Sequence, residues 1–203
     1  MIRRPAQLHR SISRSGTMGT MQSGSGSDSE RERNRLWLIG SMGAGKTTVA
    51  SAVSLRLGWP VLDNDVELRR ETGRSTVALA AAGANQLHAS ESEQLHHAVR
   101  KSGPFIAGVA ASVADRPSDL RLLQASGFVV YLRATAATLA ARVGAGQNRP
   151  WLTQNPEAWL ATRILQRGPA YEQAADLIVD VDGLSTDQIA VSIVSALDVN
   201  RSH

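Results

Sequence analysis

Residues 40–48 read GSMGAGKTT, and their types and spacing suit one task, the holding of a polyphosphate. Gly40, Gly45, Lys46 and Thr47 satisfy GxxxxGK[ST], directly after an apolar run at 36–39 and directly before a helix-like segment. Gly40, Gly43 and Gly45 let the backbone take conformations that side chains would block, so successive N–H groups, that of Ala44 among them, can turn inward around a phosphate, and the positive end of the following helix strengthens that field. Lys46 supplies a mobile point charge for the terminal phosphates. The hydroxyl of Thr47, with Thr48 beside it, suits one position on Mg²⁺.

A second group of chemically capable residues follows at Asp63 and Asp65 in LDND, at the end of a short apolar segment. In an open parallel sheet ligands lie beyond the carboxyl ends of the strands, so both carboxylates should face the phosphates. Alternation along an extended segment sends the two side chains the same way. Asp63 can hold Mg²⁺ through its water shell, and Asp65 can accept a hydrogen bond from an acceptor hydroxyl or take its proton. The alternative is that either aspartate caps the helix beginning near Val66, which is compatible with ligand binding.

The elements that must position these groups alternate. Short apolar strands are expected at 36–39, 59–62, 105–109, 128–132 and 177–181. Helical segments are expected at 46–57, 66–71, 75–82, 90–101, 118–125, 135–142, 157–173 and 185–197, with Trp159, Ile164 and Leu165 on the inner side of the seventh. This alternation predicts an α/β fold with a mostly parallel sheet and helices on both faces. Residues 144–156, polar with two glycines and two prolines, are the candidate mobile loop.

Composition narrows the partners. No apolar run approaches the roughly 18 to 20 residues of a membrane span, so no membrane partner is expected. With no cysteine there is no thiolate metal site and no cysteine nucleophile, which fits a cytoplasmic protein. The net charge of +4 sits mostly in residues 1–34, where six arginines face three acids, leaving +1 for residues 35–203. A nucleic-acid-binding face on the folded part therefore has no support from charge. Rich in Ser, Gly and Arg, the 1–34 segment is expected to be a disordered tail before one domain at 35–203. Its first 27 residues lack acids, so a transit peptide, a flexible extension or an early start codon all fit. His88, His96 and His97 are spaced as surface histidines rather than as a metal cluster.

The pieces GSMGAGKTT, LGWPVLDNDVELRRETGRS, RVGAGQNRPWL and RGPAYEQAAD together make the chain resemble the shikimate kinases, within the nucleoside-monophosphate-kinase-like group of P-loop kinases. The likeness covers nearly all of residues 36–198. It implies a three-layer sandwich around a five-stranded parallel sheet of order 2-3-1-4-5, a mobile lid, and a monomer that takes ATP, Mg²⁺ and a small-molecule acceptor. By the same resemblance the phosphate loop from Gly43 to Thr48 binds ATP, and Thr47 and Asp63 serve the metal. Asp65 contacts the acceptor hydroxyls, Arg142 lies against adenine, Arg149 swings in on the lid, and Arg167 binds the acceptor carboxylate. Lys46, Asp65 and Arg149 would carry the catalysis.

Three departures from the family pattern fall around the acceptor. His88 stands where the family has a carboxylate-gripping arginine, and it lacks the guanidinium fork. Val109-Ala110-Ala111 replace a triple glycine, which should narrow the cavity at Ala110. Leu184 or a neighbour stands where an adenine-side arginine is often found. Nucleotide binding therefore looks intact beside an altered acceptor site. A divergent shikimate kinase, a kinase for another small hydroxylated metabolite, and a nucleotide-binding protein without kinase activity all remain open at this point.

Overall fold

A computed structural model describes residues 2–3, 34–143 and 155–201. Its core is a parallel sheet of β1 (Arg35–Ile39), β2 (Val61–Leu62), β3 (Phe105–Gly108), β4 (Phe128–Arg133) and β5 (Leu177–Asp180). The parallel order is β2-β3-β1-β4-β5, as the family resemblance implies. β1 lies at the centre, paired through Leu38 to Gly108 of β3 and to Val130 of β4. A strand covered on both faces needs apolar side chains in both directions, which is why RLWLI shows no polar alternation. Leu36 and Leu38 join one buried cluster with Val49, Val53, Ile189 and Ile193, while Trp37 and Ile39 join the other with Phe105, Leu123, Tyr131 and Tyr171.

The first cluster lies under α1 (Lys46–Leu57) and α8 (Thr186–Arg201), and the second under α4 (Ala84–Arg100) and α5 (Pro117–Ser126). Two short helices, α2 (Asn64–Thr72) and α3 (Thr76–Ala82), link β2 to α4, and α6 (Ala136–Val143) follows β4. The long α7 (Pro156–Ala174) reaches from one cluster to the other, giving Leu160 to the first and Tyr171 to the second.

Four expectations need correction. Leu165 does not face inward: it is 79% exposed, because the buried line of α7 runs through Leu160, Ile164, Gly168 and Tyr171, one helical step away. Asp63 and Asp65 are not two alternating positions of an extended segment, since the strand ends at Leu62 and the helix begins at Asn64. α4 begins at Ala84, nearly two turns before position 90, so it carries His88 as well as His96 and His97. The segment 84–90 lacks strong apolar periodicity, and only the turn at Gly83 marks its start. At the N-terminus, Ile2–Arg3 is no loose end but a strand, antiparallel to β5 opposite Val179 and Ile178. An edge strand presents unpaired backbone groups, and an extended segment satisfies them.

The candidate loop at 144–156 and its Arg149 and Trp151 fall outside the described residues, apart from Asn155 and Pro156. No described helix is long and apolar enough to cross a membrane.

Candidate active site

The phosphate loop joins β1 to α1. Gly40 and Gly43 take φ of 142° and 83°, which side chains rarely adopt. Space forbids a side chain as well: a Cβ on Gly40 would lie 2.7 Å from the Leu132 carbonyl oxygen, and one on Gly43 would lie 2.8 Å from Val143. The loop thus wraps tightly against β4 and α6, leaving its concave side to a ligand. Gly45 is the N-cap of α1 and offers no side-chain cap, and no acidic residue lies in the first turn. The first amides of α1 and the positive end of its dipole are therefore unopposed by the helix's own side chains.

Lys46 folds over this cradle, its Nζ donating to the carbonyl oxygens of Gly40 at 2.8 Å and Ser41 at 3.1 Å. Thr47 and Thr48 are exposed at the start of α1. Arg142, at the end of α6, donates to the Ala44 carbonyl at 3.4 Å, so it flanks the loop. The cradle, the unopposed helix start and the Thr47 hydroxyl fit a nucleotide polyphosphate with its Mg²⁺.

Asp63 is the N-cap of α2: its Oδ1 accepts from the amides of Asp65 at 3.0 Å and Val66 at 3.1 Å. The capping alternative is realised through Oδ1, and Oδ2 takes no part in the cap. Asp65 lies in the first turn, where Thr76 Oγ1 donates to its Oδ1 at 2.9 Å. Thr76, the first residue of α3, is a positioning contact that spacing along the sequence did not reveal.

Glu91 was also missed. It sits one turn after His88 on α4, half-buried, and accepts from Ser112 Oγ at 2.5 Å. Burial raises its pKa, the Ser112 bond opposes that shift, Asp65 adds to it, and Arg167 and Lys46 lower it. α4 packs against α2 and against the 3₁₀ turn Ala111–Asp115, which α7 also meets, and α1 packs on β3, so the phosphate loop, α2, α4 and α7 stand around one hollow. The end of β3 closes it, with a Cβ on Gly108 only 3.4 Å from the Lys46 Cβ.

The far wall of that hollow holds His88, Glu91, Val109, Ala110, Ser112 and Arg116, and the cavity left among them is about 10 Å³, room for one water. Ala110 has φ −57° and ψ 143°, so nothing in the backbone demands glycine, and its methyl group takes up space. Arg167, its side chain 11% exposed, gives Nε to Asp115 Oδ1 at 2.9 Å and Nη2 to Asp115 Oδ2. Asp115 therefore occupies the guanidinium edge that a ligand carboxylate would use.

His88 has its pKa lowered, by burial first and then by Arg167, with Arg116 and Arg163 acting the same way and Asp115 opposing. The imidazole is neutral at neutral pH. Stability linked to it is fully present above the unfolded value of 6.5 and is lost as pH falls through the lower folded value. The expected result is that wild-type protein loses more stability than His88→Gln between pH 7 and pH 5, measured by urea unfolding at each pH. Equal losses would rule the histidine out.

His96 meets Asp119 at 3.3 Å and His97 meets Glu71 at 3.0 Å, both exposed, and no group of three potential ligands for a metal ion occurs among the described residues. They behave as the surface histidines expected.

Residues 42–198 match the family model for shikimate kinase. The shikimate kinase of Cupriavidus pinatubonensis is 34% identical over 172 residues, covering 84% of this chain and 89% of that one. That of Alteromonas mediterranea is 32% identical over 168 residues, covering 82% and 98%. Among solved structures, the shikimate kinase from Acinetobacter baumannii in complex with shikimate has the same fold, with a TM-score of 0.78 and 26% identity over 86% of this chain and 98% of that one. A match running from the phosphate loop to the last helix, over the same fold, means that the chain belongs to the shikimate kinase family of small-molecule kinases, which use ATP with Mg²⁺.

Proposed function

We propose that this chain transfers the terminal phosphoryl group of ATP to a hydroxyl of shikimate. The observation that carries the assignment is the glycine cradle with Lys46 folded over it, in a fold matched by a shikimate kinase solved with shikimate. A phosphate-binding lysine, a helix-held carboxylate and an arginine around one hollow are what in-line phosphoryl transfer needs.

The amides of residues 43–48 and Lys46 hold the β- and γ-phosphates. Arg142 lies against adenine, where a guanidinium stacks on a base face. Thr47 and Asp63 would hold Mg²⁺, which neutralises phosphate charge when bound. Asp65, fixed by Thr76, accepts the hydrogen bond of the acceptor hydroxyl. As that oxygen forms its bond to the γ-phosphorus, the bond to the β-bridging oxygen breaks, ADP leaves and the proton passes to Asp65. His88, Ala110 and Arg167 bound the acceptor end. The phosphate loop, both aspartates and the acceptor wall belong to the same fold, so the proposed site needs no second copy. Dependence on ATP and the absence of cysteine support the cytoplasm.

The experiment is ADP release in a coupled assay with shikimate and a panel of cyclic polyols and hydroxy acids. Turnover with shikimate supports the assignment. Turnover with another panel member alone moves the acceptor class, and no acceptor-stimulated turnover despite ATP binding refutes the kinase.

A further inference from the structure

Three guanidinium groups lie near His88, and two of them are already engaged. Arg167 is forked onto Asp115, and Arg163 stands 5.1 Å over the Trp159 ring while donating to Gln166 at 3.3 Å. The third, Arg116, is partly buried and lines the cavity wall beside His88 and Ala110. Among the described residues it has no ion pair and no side-chain hydrogen bond. The nearby acids have their own donors: Glu91 takes Ser112, and Asp119 takes Ser92 at 2.7 Å and His96. A half-buried guanidinium in a cavity wall without an anion is an incomplete pair, and completing it with a carboxylate recovers charge-assisted hydrogen bonds in a poorly hydrated place.

We propose that Arg116, reaching the cavity from the turn between β3 and α5, grips the acceptor's carboxylate in place of the arginine that His88 has replaced. Asp115 serves the same division of labour. By filling the fork of Arg167 it makes that residue part of the wall and leaves anion recognition to its sequence neighbour. The neutral imidazole of His88 can donate one further hydrogen bond to the same carboxylate. The inference rests on the kinase assignment for the identity of the ligand, and its test reads binding separately from turnover.

Calorimetric titration of the full chain with ADP and Mg²⁺ present would compare shikimate with its uncharged methyl ester. Arg116→Gln should weaken shikimate binding at least tenfold and leave the weaker binding of the ester within twofold of wild type. Arg116→Lys, which keeps charge without the fork, should fall between. In turnover, Arg116→Gln should raise the KM for shikimate by the same factor with the KM for ATP held. Shikimate binding unchanged in Arg116→Gln, equal weakening of acid and ester, or no shikimate binding to wild type would each overturn the inference. Shikimate bound through Arg116 but never phosphorylated would refute the kinase alone.

Discussion

Replacement of Lys46 by methionine should lower kcat about 10² to 10³-fold, the effect of removing one preorganised donor from a developing anion, or roughly 3 to 4 kcal/mol of transition-state stabilisation. Methionine keeps the length and the helix propensity of the side chain, so what is lost is Nζ. That nitrogen bonds the carbonyl oxygens of Gly40 and Ser41, so removal also costs the loop two hydrogen bonds. At about 1 kcal/mol each, that would shift the melting point by only a few degrees in a chain of this size. A large rate loss with a small change in Tm is therefore the diagnostic pair, read by ADP release and thermal unfolding of the same preparation. A kcat within tenfold of wild type would mean that the lysine does not meet the transferring group.

The phosphate loop was legible because its requirements are local. Two backbone positions that forbid side chains, a helix start and a strand end all fall within nine residues, so sequence distance stands in for distance in space. The sheet was legible for a similar reason: β1 and β4 carry the unbroken runs LWLI and FVVYL, without the polar alternation of a strand exposed on one face. The acceptor side was not. Asp115 meets Arg167 across 52 residues, Ser112 meets Glu91 across 21 and Thr76 meets Asp65 across 11. None of these pairs has a periodicity to announce it. His88 was identified by its place in a family pattern, whereas Glu91, one turn later, became visible only when α4 proved to begin at Ala84. Arg167 was expected to await a ligand carboxylate, and the carboxylate on its fork belongs to the chain itself.

Asp65→Asn separates orientation from proton transfer, because asparagine can still accept from Thr76 through its carbonyl oxygen and keeps the side chain's shape. What it cannot do is take a proton. If Asp65 receives the proton of the acceptor hydroxyl, kcat should fall about 10² to 10⁴-fold while ATP binding stays within twofold of wild type. The stability cost should be small, about 0.3 to 1 kcal/mol, since the lost charge sat in the first turn of α2 where it complemented the helix dipole. Thr76→Val removes the orienting bond and leaves the carboxylate, so its loss in kcat should be much smaller, about tenfold. The two variants together are decisive in a way neither is alone. A rise in the KM for shikimate with kcat held in Asp65→Asn would show an interaction made equally with ground and transition states, and the aspartate would then bind the acceptor without acting as its base.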